Sequence, residues 1–180
     1  MQPLRTARLS LRPWREEDRS GFAALNADPD VTWDLGGPLS RADSDAKFDR
    51  YVATFERHGF SRWAIEDSRQ AFVGYAGVMP SSAEHPLGPH AEIGWRLVRP
   101  AWGKGYATEA ARAAIDDAFS RVGLIEMLAY TSADNVRSQG VMSRLGLRRA
   151  SSRDFVAAYG GRPWQGLVWV AEMRQGVTQV

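Results

Sequence analysis

The sequence predicts an α/β (α+β) fold, a mixed sheet flanked by helices, on three observations. Ala91, Ile93, Trp95 and Leu97 alternate with Glu92, Gly94, Arg96 and Val98, the two-residue period of a strand with two unlike faces. Beyond a turn containing Gly103 and Gly105, residues Ala107, Ala110, Ala111, Ala114, Ile115, Ala118, Phe119 and Val122 fall at helical spacing as one apolar stripe. Glu126 to Ser132 reads as the next strand, and the intervening helix implies that these two strands run parallel. With 180 residues and no visible repeat or linker, a single domain over 1–180 is expected.

From the start, Leu9 and Leu11 alternate with Arg8, Ser10 and Arg12 as a first strand, stopped by Pro13. Glu16, Glu17 and Asp18 suit the positive end of a helix whose buried side is Phe22 and Leu25. Asn26 to Pro38 is rich in Asp, Pro and Gly and reads as loop; its Trp33 and Leu35 either fold back over the core or line an acceptor pocket. Ser40 with Asp43 is a capping signal, and Phe48, Tyr51, Val52 and Phe55 give the following helix an apolar face. Phe60 to Glu66 and Phe72 to Met79 read as strands joined by the short turn Asp67-Ser68-Arg69-Gln70, hence an antiparallel hairpin. Pro80 to Pro89 is a polar loop, with His85 and His90 expected to be solvated. Asp134 or Asn135 can cap a helix that buries Val141, Met142 and Leu145 and ends at Gly146 in the left-handed conformation. Phe155 and Leu167 to Val170 supply two closing strands around Gly160-Gly161-Arg162-Pro163.

Composition excludes several classes of function. A 44% hydrophobic chain is globular, and a net charge of +2 is too small to imply a nucleic-acid partner. Arg144, Arg148, Arg149 and Arg153 are interspersed with apolar residues and read as a solvated helix end and its flank. With no Cys and three scattered His, neither a disulfide, a thiolate nucleophile nor a metal site is expected. No apolar run approaches a membrane span, so the expectation is a cytoplasmic protein with no membrane partner.

The turn Val98-Arg99-Pro100-Ala101-Trp102-Gly103-Lys104-Gly105-Tyr106 carries the chemistry. Its two glycines allow close backbone approach, the new helix end aims unpaired amides outward, and Lys104 adds charge, which together suit a phosphate. A Walker A loop would need Gly where Val98 stands and Ser or Thr where Gly105 stands. A dinucleotide fingerprint would need a third Gly where Thr108 stands. The stretch instead resembles the acetyl-CoA pyrophosphate loop of the GNAT acyl-CoA N-acyltransferase superfamily, Gln/Arg-x-x-Gly-x-Gly/Ala at a helix start. Gly103 and Gly105 match the small positions; Pro100 stands at the leading one. Arg8-Leu9-Ser10-Leu11-Arg12-Pro13-Trp14, Ala91-Glu92-Ile93-Gly94-Trp95, Asp134-Asn135-Val136-Arg137-Ser138 and Leu145-Gly146-Leu147 are similar to blocks of the RimJ/RimL-like branch, which includes ribosomal-protein N-terminal acetyltransferases.

That resemblance implies a GNAT fold of about seven strands, splayed at the centre and flanked by about four helices, with the helical pair before residue 60 shaping acceptor specificity. It implies acetyl-CoA as co-substrate and direct transfer to a primary amine, on a protein N-terminus or a small molecule; a non-catalytic acyl-CoA sensor is the alternative. Leu97, Val98 and Arg99 would pair with the pantetheine arm. Trp102, Gly103, Lys104, Gly105, Tyr106, Ala107 and Thr108 would surround the pyrophosphate. Asn135, Arg137, Ser138 and Met142 complete the implied acetyl-CoA contacts, and a backbone amide at Leu97 or Val98 is the implied oxyanion donor. Glu92 is the candidate proton acceptor, its competing reading being an ion pair with Arg96. The family's frequent Tyr falls on Met142, so Ser138 is the candidate donor to the leaving thiolate, its competing reading being a plain cap. Asn135 either holds the pantetheine or Ser138, or only caps its helix. Asp30, Asp34 and Asp43 are acidic groups able to attract a cationic amine. An apolar C-terminal strand and exposed-looking tryptophans suggest a homodimer.

Overall fold

The computed structural model describes residues 2–159 and 161–173. In chain order the strands are β1 (Leu4–Arg5), β2 (Leu9–Arg12), β3 (Arg62–Asp67), β4 (Phe72–Pro80), β5 (Ala91–Leu97), β6 (Glu126–Thr131), β7 (Arg148–Arg149), β8 (Phe155–Tyr159) and β9 (Arg162–Glu172). The helices are α1 (Asp18–Ala27), α2 (Pro29–Thr32), α3 (Arg41–His58), α4 (Tyr106–Asp117) and α5 (Val136–Leu145). The sheet runs β1-β2-β3-β4-β5-β6-β9-β7, with β8 paired to β9. Only β5 and β6 pair parallel; every other pairing is antiparallel.

The nine described strands exceed the seven expected because β1 and β7 are two-residue edge strands, too short to show any period of their own. The expected loop over 26–38 is in part helical. Asp28 caps α2 through a bond from Asp30 N–H at 3.0 Å, and Pro29 occupies the first turn, where a missing N–H loses nothing. The other caps form as the sequence implies. Ser40 Oγ accepts from Asp43 N–H at 3.1 Å, Asn135 Oδ1 accepts from Ser138 N–H at 3.1 Å, and Gly146 takes φ 75°. The β3–β4 turn closes on Asp67 Oδ1, which accepts from the N–H groups of Arg69 and Ala71. In the expected closing turn, Gly160 lies outside the described residues, while β8 and β9 pair antiparallel around it.

Each sheet face is covered differently. On one, the alanine stripe of α4 (Ala110, Ala114) packs with Leu11, Ile65, Ala76, Ile93, Leu97 and Met127, and small side chains let the helix lie close. On the other, α1 and α3 bury Phe22, Leu25, Phe48 and Tyr51 against Tyr75 of β4. Trp14 stands edge-on to Phe22 and Phe48, with centroids 5.0 and 5.2 Å away. Arg12, itself buried, ties α1 to the sheet through Asp18 at 2.6 Å and Glu66 at 2.7 Å. Of the seven tryptophans only Trp33 is exposed, so the expectation of several exposed tryptophans does not hold. The C-terminal ones, Trp164 and Trp169, are buried within the chain itself. His85 and His90 are not solvated either: their rings, 4.8 Å apart, pack with Tyr130 and Phe155.

Candidate active site

The central strands open into a wedge. β5 and β6 share one register pair, Glu92 with Leu128, and diverge beyond it. Val98 N–H donates to the Val73 carbonyl at 3.0 Å, continuing the Gly74–Leu97 register of β4 and β5. Residues of an antiparallel ladder alternate in the side to which their backbone groups point, so those of Trp95 and Leu97 face away from β4, into the wedge. The Leu97 carbonyl there accepts from Trp102 Nε1 at 2.9 Å, and the Leu97 N–H faces the opening. Of the two amides implied as oxyanion donors, Val98 is thus spent within the sheet.

At the mouth of the wedge, Arg99–Ala101 forms a 3₁₀ turn closed by Trp102 N–H on the Arg99 carbonyl at 3.0 Å. Pro100 sits in its first turn, where a backbone donor has no partner to lose. Gly103 and Gly105 follow at φ 74° and 79°, in the left-handed region that other residues rarely adopt. A Cβ on Gly103 would meet nothing within 4 Å, so the backbone is open to a ligand on that side. No side chain caps α4, which leaves its first-turn amides as donors. This donor set fits a pyrophosphate. It is braced by Arg8, which donates to the Lys104 carbonyl at 2.8 Å and to Glu109 at 2.7 Å and lies over the Tyr106 ring. Thr6 Oγ1 donates to Glu109 at 2.6 Å, closing the clasp.

A cavity of about 1060 Å³ runs from this loop through the wedge to the face covered by α1 and α3. Glu92, Leu97, Trp102, Gly103, Gly105, Tyr106, Ala107, Thr108, Asn135, Arg137, Ser138 and Met142 all line it; Val98 and Lys104 do not. Arg99 lines an adjoining cavity of about 570 Å³ and holds Asp28 at 2.8 Å and Asp30 at 2.7 Å. Trp33 and Leu35 line the large cavity, Trp33 largely exposed. None of the three acidic candidates is a free amine attractor: Asp30 pairs with Arg99, Asp43 bonds Ser40 at 2.6 Å, and Asp34 accepts from Asn135 Nδ2. Asn135 thereby uses both side-chain atoms, one on its helix cap and one on the loop across the opening. Arg137 stacks on Trp102 at 4.3 Å.

The inner end is lined by groups that the sequence reading did not single out. Glu92 pairs at 2.8 Å with Arg62 of β3, not with Arg96. The reason is Gly94: a Cβ there would sit 2.8 Å from Arg62 Nη2, so its absence lets the guanidinium lie across β5. Buried Arg62 also donates to the carbonyls of Gly77, Glu92 and Gly94. Lys47 of α3 donates to Asn26 Oδ1 at 3.1 Å and Tyr75 Oη at 3.3 Å. Burial lowers the Lys47 ammonium from its ordinary range, with Arg96 adding to the effect. Burial raises the Tyr51 phenol; at Tyr75 burial acts the same way, but the charges of Arg96 and Lys47 outweigh it and bring that phenol down.

A family model described as an acetyltransferase (GNAT) domain matches residues 8–148. The chain belongs to the GNAT acetyltransferase family. The uncharacterized protein YkkB of Bacillus subtilis is 32% identical over 144 residues, covering 79% of this chain and 83% of that one. The FsC-acetyl coenzyme A-N(2)-transacetylase of Aspergillus fumigatus is 32% identical over 152 residues, covering 80% of this chain and 64% of that one. The crystal structure of an acetyltransferase from Agrobacterium tumefaciens superposes with TM-score 0.80 at 29% identity, over 96% and 95% of the two chains. A ribosomal L7/L12 acetyltransferase, RimL, solved with coenzyme A shares the fold at TM-score 0.75, as does a spermidine N-acetyltransferase of Vibrio cholerae at 0.74.

In this GNAT N-acetyltransferase the glycine turn and the opening between β5 and β6 lie where the sequence puts them. The residues of the inner end are another matter. Lys47, Arg62 and Tyr75 carry no motif and meet only through β3, β4 and α3; the one available signal was Gly94, a glycine inside a strand, which marks a close approach.

Proposed function

We propose that this GNAT N-acetyltransferase moves an acetyl group from acetyl-CoA directly to a primary amine bound at the inner end of the cavity. The observation that carries the reading is the wedge. The single Glu92–Leu128 pair opens the sheet between the uncapped start of α4 and the acceptor-side cluster, so one continuous cavity serves both reactants. Bound acetyl-CoA supplies the thioester; the chain supplies groups around it. Backbone amides of the Gly103–Thr108 turn hold the pyrophosphate, Trp95 and Leu97 receive the arm as a strand edge would, and the Leu97 N–H stabilises the oxyanion. Glu92, on the wall at the point of divergence, takes the amine proton. Ser138, in the first turn of α5 and lining the same cavity, donates a hydrogen bond to the leaving sulfur, and the amine proton taken up by Glu92 and exchanged with solvent balances the one the thiolate gains.

Thiol release from acetyl-CoA against a panel of amines and N-terminal peptides tests the reading; no release with any acceptor overturns it. Glu92→Gln is expected to slow turnover by about 10²-fold, within the usual range for general-base catalysis. The loss should grow as pH falls, because an unaided amine must then find its own neutral form. A parallel pH profile removes Glu92 from the proton transfer. Ser138→Ala should slow transfer by about tenfold with acetyl-CoA affinity preserved, and full activity excludes Ser138.

A further inference from the structure

The inner wall of the cavity carries more positive charge than the proposed transfer uses. Arg62 is matched by Glu92, but Arg96 and Lys47, which line the same cavity, have no carboxylate partner among the described residues. Arg96 stands opposite Tyr75 in the register of β5 and β4, and cross-strand neighbours on one face lie about 5.5 Å apart at Cα. Lys47 reaches the same phenol from α3 at 3.3 Å. The two cations therefore flank Tyr75, Lys47 at its hydroxyl and Arg96 from the neighbouring strand, and both draw its phenol down. Arg96 and Lys47 are both partly buried, and positive charge gathered in such a place favours an anion that arrives to pair it. Asp28 and Asp30 hold Arg99, Asp34 accepts from Asn135, and none of the three is paired with Arg96 or Lys47.

We propose that the acceptor is a small amine of the amino-acid class, whose carboxylate seats on Arg96 and Lys47 beside the Tyr75 hydroxyl while its amine points to the wedge. The proposal rests on the acetyl-transfer reading for the role of the amine, and on the convergent cations for the carboxylate. It separates this site from one for a diamine or polyamine, whose second ammonium would meet Arg96 and Lys47.

The test pairs α- and β-amino acids with their own carboxamides, titrated into the whole protein by calorimetry and then offered with acetyl-CoA for thiol release. In at least one pair the carboxylate is expected to bind about tenfold tighter, the scale of one charge-assisted contact. Arg96→Gln should bring the members of that pair within about twofold while acetyl-CoA affinity is kept, which separates loss of the seat from loss of the fold. Lys47→Met should act in the same direction. Equal binding of both members in every pair, an Arg96→Gln protein that keeps the preference, or better turnover of spermidine than of any amino acid overturns the proposal. Carboxylate-selective binding without thiol release leaves the seat standing and overturns the transfer reading. Thiol release blind to the carboxylate does the reverse.

Discussion

One end of the cavity is lined by near-consecutive residues of the Gly103 to Thr108 turn, proposed to hold acetyl-CoA; the other is lined by side chains gathered from α3, β3, β4 and β5, proposed to hold the amine. The first end is local: two left-handed glycines and one helix start make it, and a window of ten residues contains it. The second exists only when the sheet is assembled, because Arg62 must cross β4 to reach Glu92, thirty positions away. On the proposed reading, binding of the common reactant and choice of the variable one fall to different kinds of structure. The inner end should be fragile to single side-chain changes, and the outer end to single backbone changes.

The largest effect is expected from breaking the inner end at Arg62. Arg62→Met leaves Glu92 and three strand carbonyls without their shared donor in a largely buried place. Removing one partner of such a pair costs about 3 kcal/mol, so the urea midpoint should fall clearly. Acetyl-CoA affinity of the folded fraction should hold. An unchanged midpoint would show that the pair is incidental to the fold, and the contrast between the two ends would lose its energetic side.

The outer end breaks differently. At Gly103 a side chain has room, since a Cβ meets nothing within 4 Å, yet φ 74° is strained for a β-branched residue. Gly103→Val should cost about 1–2 kcal/mol of backbone strain, enough to weaken acetyl-CoA binding by roughly tenfold. Amino-acid binding at the inner end should not move. If acetyl-CoA affinity is untouched, the loop does not depend on its left-handed geometry.

This difference also explains what could be read in advance. The turn at Gly103 and Gly105, the caps at Ser40 and Asn135, the β3–β4 hairpin and the parallel β5–β6 pair all rest on neighbours in the chain, and the sequence showed each. Edge strands β1 and β7 exist only by pairing, and α2, with four residues, is shorter than one helical period allows a pattern to be seen. Glu92 was visible as a polar residue on a two-faced strand, whereas its partner was misplaced onto Arg96. Spacing along one strand suggested that choice, while a guanidinium crossing a glycine is a property of three strands together. Asp34, similarly, looked like a free acid until the fold put it against Asn135.

The smallest effect should come from the brace that Arg8 and Glu109 supply to the outer end. Arg8 braces the phosphate loop through the Lys104 carbonyl and is itself held by Glu109, which also accepts from Thr6 and from the Arg8 amide. Burial alone would raise the Glu109 carboxyl, but the bonds from Thr6 and Arg8 outweigh it and hold it below its ordinary 4.5. A carboxyl depressed in the folded state stabilises the fold above its unfolded value. That contribution fades as pH drops from about 4.5 through the folded value. Glu109→Gln keeps an acceptor for Thr6 but loses the charge. Because Arg8 is half exposed, the cost near neutral pH should be only about 0.5 kcal/mol, and stability should fall less steeply below pH 4.5 than in the parent. Acetyl-CoA affinity should change by less than about twofold, since the loop amides are set by the glycines and not by the brace. A larger loss would mean that the outer end also depends on assembly of the whole sheet, and the division between a local and an assembled end would have to be redrawn around Arg8.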